Sequence, residues 1–146
     1  MSLQDLVKSR DVIEQKTSKS EVQGLLGLAR RSLSDAALDG LSAEGRFKLA
    51  YEAALQLSTV PLRCAGYRTR GQAHHWAIFH VLPEVMGEAE KNAADYFESC
   101  RGKRATAVYG PSATVSQTEA DALLKEVTEF QKRVAEWLGN EHPEFA

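Results

Sequence analysis

SAEGRFKLAYEAALQLSTVPLRCAGY, residues 42–67, carries two apolar stripes where an ordinary surface helix carries one. Phe47, Ala50, Tyr51, Ala54, Ser58 and Leu62 form the first, and Leu49, Ala53, Leu57, Val60 and Cys64 the second, all at helical spacing. Only Lys48, Glu52, Gln56 and Arg63 are left as a narrow polar edge. A helix that is apolar on two sides has to be covered on two sides, so the segment predicts the centre of a helical bundle. Ala50, Ala53 and Ala54 allow neighbouring helices to approach closely, and Pro61 removes one backbone donor near the end.

The flanking segments predict the helices that cover it. Upstream, Val22, Leu25, Leu26, Ala29, Leu33, Ala36 and Ala37 trace one helical face, with Ser18 and Glu21, or Ser20 and Gln23, spaced to cap its start. Downstream of the GYRTRG turn, QAHHWAIFHVL reads as a shorter helix ending at Pro83. Val85, Ala89, Ala93, Tyr96 and Cys100 give a further helical face that Gly110 and Pro111 end. The last helix opens on a capping box at Ser116 and Glu119, runs through Ala120, Leu123, Leu124, Val127, Val134 and Leu138, and is closed by Gly139. NEHPEFA then reads as a loose tail. No segment alternates with period two, so no sheet is expected: the class is all-α, an antiparallel up-and-down bundle of four long helices plus shorter ones.

The totals fit one domain over residues 1–146, with a core at about 20–138. A net charge of -2 provides no general attraction to nucleic acid or anionic membrane, so any such binding must come from a local patch. The opening residues lack a signal-peptide core and no stretch approaches the ~20 apolar residues of a membrane helix. Cys64 and Cys100 are isolated thiols suited to a reducing compartment, and a cytoplasmic protein without membrane partners is expected.

Motifs for nucleotide hydrolysis (GxxxxGK[ST]), esterolysis (GxSxG) and zinc proteolysis (HExxH) are absent. Asp35 and Asp39 share a helix face but read as solvated, with no catalytic role. No two of His74, His75 and His80 have the spacing that puts a pair of imidazoles on one helical face. They predict packing or single polar contacts, and no metal or cofactor is expected. What stands out is CRGKRATAVYG, residues 100–110, with Arg101, Lys103 and Arg104 in four positions and Tyr109 following. Arg101 and Arg104 are separated by about 300° of helical rotation and so lie on one side, where two guanidiniums can grip a phosphate. The competing reading is that cations near a helix C-terminus simply meet the macrodipole, a gain of about 0.3–1 kcal/mol.

RFKLAYEAALQLSTVPLRCAGYRTRGQAHHWAIFHVLP, followed by YFESCRGKRATAVYG and a long amphipathic last helix, resembles the HEPN superfamily, the helical domains named for nucleotide binding in prokaryotes and higher eukaryotes. The likeness spans roughly residues 20–138. It implies a dimer that brings two copies of an arginine-and-histidine motif together, which in active members makes a metal-independent ribonuclease. Arginine there stabilises charge on the scissile phosphate and histidine moves the proton of the ribose 2′-hydroxyl. Many members are toxins or are encoded beside a small nucleotidyltransferase.

Matched to that motif, Arg104 takes the arginine, Ala105 the usually polar position and Tyr109 the histidine. A phenol is a poorer base than imidazole by about three pKa units at neutral pH. The expectation is therefore a degenerate member: a homodimer binding RNA or a nucleotide through Arg101, Lys103 and Arg104, without strong nuclease activity. Two alternatives stand beside it. One is an active metal-independent endoribonuclease using Arg104 and Tyr109, and the other a non-catalytic helical partner, with a nucleotidyltransferase as one candidate and Tyr109 as acceptor of its modification. The nucleic-acid readings fail if Arg101 and Arg104 are both locked into carboxylate partners within their own subunit.

Overall fold

Three of the four long helices begin in the same way, with a serine in extended backbone whose hydroxyl accepts the N–H three residues on. Ser18 does this for Glu21, Ser42 for Gly45 and Ser116 for Glu119, at 3.1, 3.0 and 3.1 Å. Each hydroxyl satisfies a donor that the first helical turn leaves unpaired. At Ser116 the box is complete, because the Glu119 carboxylate accepts the Ser116 N–H in return.

The computed structural model describes residues 1–71, 74–109 and 114–146, the side chains of 106–109 excepted. Its elements are α1 (Leu3–Lys8), β1 (Val12–Glu14), α2 (Lys19–Ala36), α3 (Ala43–Cys64), β2 (Tyr67–Thr69), α4 (His75–His80), α5 (Leu82–Met86), α6 (Lys91–Tyr109) and α7 (Gln117–Glu141). Single 3-10 turns occupy Glu88–Glu90 and Pro143–Phe145. The architecture is all-α, with α2, α3, α6 and α7 as its long members. Among the described residues no helix is long and apolar enough to cross a membrane.

Both stripes of α3 are used. Phe47, Ala50, Tyr51, Ala53, Ala54, Leu57 and Val60 are buried, and α3 packs against α2, α4, α5, α6 and α7. From α2 come Val22, Ala29 and Leu33, and from α7 Leu123, Val127, Phe130, Val134 and Leu138. Phe130, left out of the predicted α7 stripe, is completely buried. A line of aromatic rings joins four helices: Tyr51 on α3 to Phe79 on α4 at 5.9 Å, Phe79 to Phe97 on α6 at 5.7 Å, and Phe97 to Phe130 on α7 at 5.1 Å. Edge-on and tilted pairs of this kind add about 0.5–1.5 kcal/mol each beyond the area they bury. A smaller apolar cluster of Leu3, Leu6, Val12, Leu62, Ala77, Ile78 and Val81 seats α1 and β1 on α3 and α4.

Four local expectations are corrected. A sheet does exist: β1 and β2 pair antiparallel with Val12 opposite Thr69, Ile13 opposite Arg68 and Glu14 opposite Tyr67, strands too short to show a period of two. Arg63, expected on the wet edge of α3, is only 5% exposed. Its guanidinium donates to the Glu21 carboxylate and to the carbonyls of Gln15, Lys16 and Tyr67, and so holds β1 and β2 to the bundle. The NEHPEFA segment is not loose, since α7 runs through Gly139 to Glu141, Phe145 packs on the core, and Gln23 Nε2 donates to the Phe145 carbonyl at 2.9 Å. Finally, Val85 and Ala89 precede α6 rather than belonging to it, because Gly87 at φ +119° breaks the chain between them.

Candidate functional site

The basic segment lies in the second half of α6, and each of its three cations has a carboxylate partner. Arg101 donates through Nε and Nη2 to Glu98 Oε1, one turn back, at 2.9 and 2.7 Å. Lys103 Nζ is 3.1 Å from Glu119 Oε2 in the first turn of α7. Arg104 Nη2 is 3.1 Å from Glu52 Oε1 on α3. Three positive charges thus face three negative ones. Arg101 and Arg104 are both paired within the chain, so a phosphate has to displace Glu98 or Glu52 to reach them.

The pairs differ in depth. Arg101 and Glu98 side chains are 48% and 40% exposed, and Lys103 and Glu119 are 39% and 42% exposed, so these contacts are solvated and exchange easily. Arg104 and Glu52 are 23% and 33% exposed. Arg104 also lies over the Tyr51 ring, 5.7 Å from its centroid, and its buried Nε has no hydrogen-bond partner among the described residues. One nitrogen of this guanidinium is committed while another is left unsatisfied.

Tyr51 links Arg104 to His75. The Tyr51 hydroxyl is 3.0 Å from His75 Nδ1 and the rings are 5.9 Å apart. Among the described residues no other group bonds the imidazole, and its Nε2 has no partner there. Burial lowers the His75 pKa and the charge on Arg104 lowers it further, against a weaker opposite pull from Glu52. Both effects favour the neutral imidazole. Burial also pushes the Tyr51 hydroxyl well above its usual range. Hydrogen bonding to Glu98 raises the Arg101 pKa, and the Ser116 backbone, followed by Lys103, lowers that of Glu119.

The placement of the remaining sequence candidates is mixed. Tyr109 ends α6, but its side chain lies outside the described residues, as do Gly110 and Pro111. His74 Nε2 is 3.4 Å from Asp11 Oδ1, while its buried Nδ1 has no described partner. His80 Nε2 meets the Met1 carbonyl. These two have the single polar contacts expected, whereas His75 joins the site. Glu52 had been visible only as part of a polar edge, and the Tyr51–His75 contact, 24 residues apart, carried no sequence signal. Beyond Glu98 lies a cavity of about 340 Å³ lined by Trp76, His80, Glu84, Glu88 and Asp95, the last paired with Lys91, so carboxylates outnumber cationic side chains on that flank.

The family model for HEPN_SAV_6107-like HEPN matches residues 37–135, a span that contains Glu52, Tyr51, His75 and all three α6 cations. Searches of curated proteins and of solved structures give no match.

Proposed function

The chain belongs to the HEPN family, and from that premise we propose that it is an RNA- or nucleotide-binding member that holds a phosphate through Arg104, with Arg101 and Lys103 alongside. The carrying observation is the half-used guanidinium of Arg104. Its carboxylate partner is part-exposed and displaceable, and its Nε has no hydrogen-bond partner among the described residues. A phosphate offers more acceptor oxygens than a carboxylate and suits the fork geometry of arginine. With tyrosine in the place of the motif histidine, strong ribonuclease activity does not follow. A homodimer, in a toxin–antitoxin or nucleotidyltransferase-associated setting, completes this reading.

Titration with short single-stranded RNA and with a nucleoside monophosphate, beside the Arg101→Ala, Arg104→Ala double variant, tests it. Binding by the parent and its loss in the variant are expected. Equal binding by both proteins, or none by either, removes the proposal. Cleavage that leaves a cyclic phosphate and is lost in Arg104→Ala would instead establish the endoribonuclease. Light scattering reads the dimer.

A second reading, a non-catalytic helical partner for another protein, is favoured by one specific observation: all three cations are already neutralised within the chain. Under it, neither ligand binds and Arg101 and Arg104 affect stability alone.

A further inference from the structure

Resting on the phosphate-binding reading, the geometry narrows the ligand. We propose that Arg104 and His75, set against the same Tyr51 ring, form a receptor for a terminal phosphate monoester rather than a track for a polynucleotide backbone.

Charge is the first argument. Affinity for a nucleic-acid backbone grows with the number of phosphates neutralised. Here Arg101, Lys103 and Arg104 are each offset by a carboxylate, and in the cavity beyond Glu98 Asp95 is offset by Lys91 while Glu84 and Glu88 add negative charge. A long polyanion meets no net positive field on this surface. A single anion that displaces Glu52, however, gains the Arg104 guanidinium whole. The Glu52 carboxylate already occupies the position of such an anion.

His75 supplies the second argument. With Nδ1 tied to the Tyr51 hydroxyl, the Nε2, which has no partner among the described residues, can donate to one phosphate oxygen while Arg104 donates to others. The titratable and charged groups acting on the imidazole are Tyr51 and Glu52 from α3 and Glu98, Arg101 and Arg104 from α6. Burial still disfavours the imidazolium, but a bound anion offsets the Arg104 charge that disfavours it further and adds a negative charge of its own, so binding should draw a proton onto His75. A monoester, whose second pKa is about 6, arrives at pH 7 mostly as a dianion. A backbone diester carries one charge and rewards the same two donors less.

Calorimetry at pH 7, in two buffers of different ionisation enthalpy, tests this. The probes are a nucleoside 5′-monophosphate, a short RNA with a 5′-phosphate, and the same RNA with hydroxyl ends. The hydroxyl-ended RNA should bind at least about tenfold more weakly than the other two, and the monophosphate should bind with proton uptake. Arg104→Ala should abolish binding, and His75→Gln should weaken the monophosphate about tenfold and remove the uptake. Tyr51→Phe keeps the imidazole but cuts its tether, and should weaken monoester binding less than His75→Gln. Binding of the mononucleotide alone assigns a nucleotide site, and binding of both phosphorylated probes assigns an RNA end. Equal binding of the two RNAs, lost in Arg104→Ala, leaves the phosphate-binding reading standing and overturns the monoester. Unchanged uptake in His75→Gln overturns its role, and no binding by any probe overturns both readings.

Discussion

Glu52→Gln preserves shape and an acceptor oxygen while removing the charge that neutralises Arg104. The contact is made through one guanidinium nitrogen at 3.1 Å, between side chains 23% and 33% exposed. Fully exposed pairs contribute about 0–1 kcal/mol, whereas removing one partner from a buried pair costs about 3–5 kcal/mol. A part-exposed, single-nitrogen contact stands near the first case, at about 1 kcal/mol. Stability should therefore fall by about that amount, lowering the melting temperature by about 2–4 °C for a chain of this size. A phosphate that displaces Glu52 has to overcome the same free energy, so affinity for a nucleoside monophosphate should rise about fivefold. One interaction thus appears with opposite sign in two assays, thermal melting followed by circular dichroism and calorimetric titration, both at matched ionic strength. High salt should shrink the two effects together. A lower melting temperature with unchanged affinity would refute the reasoning, because Glu52 would then support the fold without competing for the ligand's place.

Arg63→Ala leaves the carbonyls of Gln15, Lys16 and Tyr67 without their donor and should cost about 3–5 kcal/mol, read by urea unfolding; a loss below about 1 kcal/mol would mean that water replaces the guanidinium. Hydrogen bonding to Arg63 lowers the Glu21 pKa, so its contribution is present above the unfolded carboxylate range and is lost as pH falls through the depressed folded value. Glu21→Gln should accordingly flatten the stability profile on the acid side and leave the alkaline side unchanged. Burial pushes the thiols of Cys64 and Cys100 up to about 11, so both should label slowly with a maleimide at pH 8 and rapidly in denaturant. Fast labelling of Cys100 in the native protein would show that α6 opens locally.

The long helices were legible because their signals are local. Ser18 and Ser116 cap through bonds three residues long, and the two stripes of α3 describe a helix covered on both sides whatever covers it. The sheet escaped because three residues on each side cannot display alternation, and its pairing joins residues 12–14 to 67–69 across two helices. Arg63 was misread because helical spacing reports which edge a residue occupies, not whether another segment folds over that edge. The same limit applies to the site. The shared side of Arg101 and Arg104, and Glu98 one turn behind, follow from helical geometry alone. Glu52, Glu119 and Tyr51 reach the cations from other elements, with His75 behind Tyr51, so a cluster that reads as exposed positive charge along the chain is a neutralised one in space.

The Arg63 clamp also bears on where this unit can be cut. The family match starts at residue 37, yet three of the four groups that receive the Arg63 guanidinium, on Gln15, Lys16 and Glu21, precede that boundary. A fragment trimmed to the shared span would keep a cation in its interior with one carbonyl left to meet it. The segment that precedes the matched span is thereby part of what closes the interior.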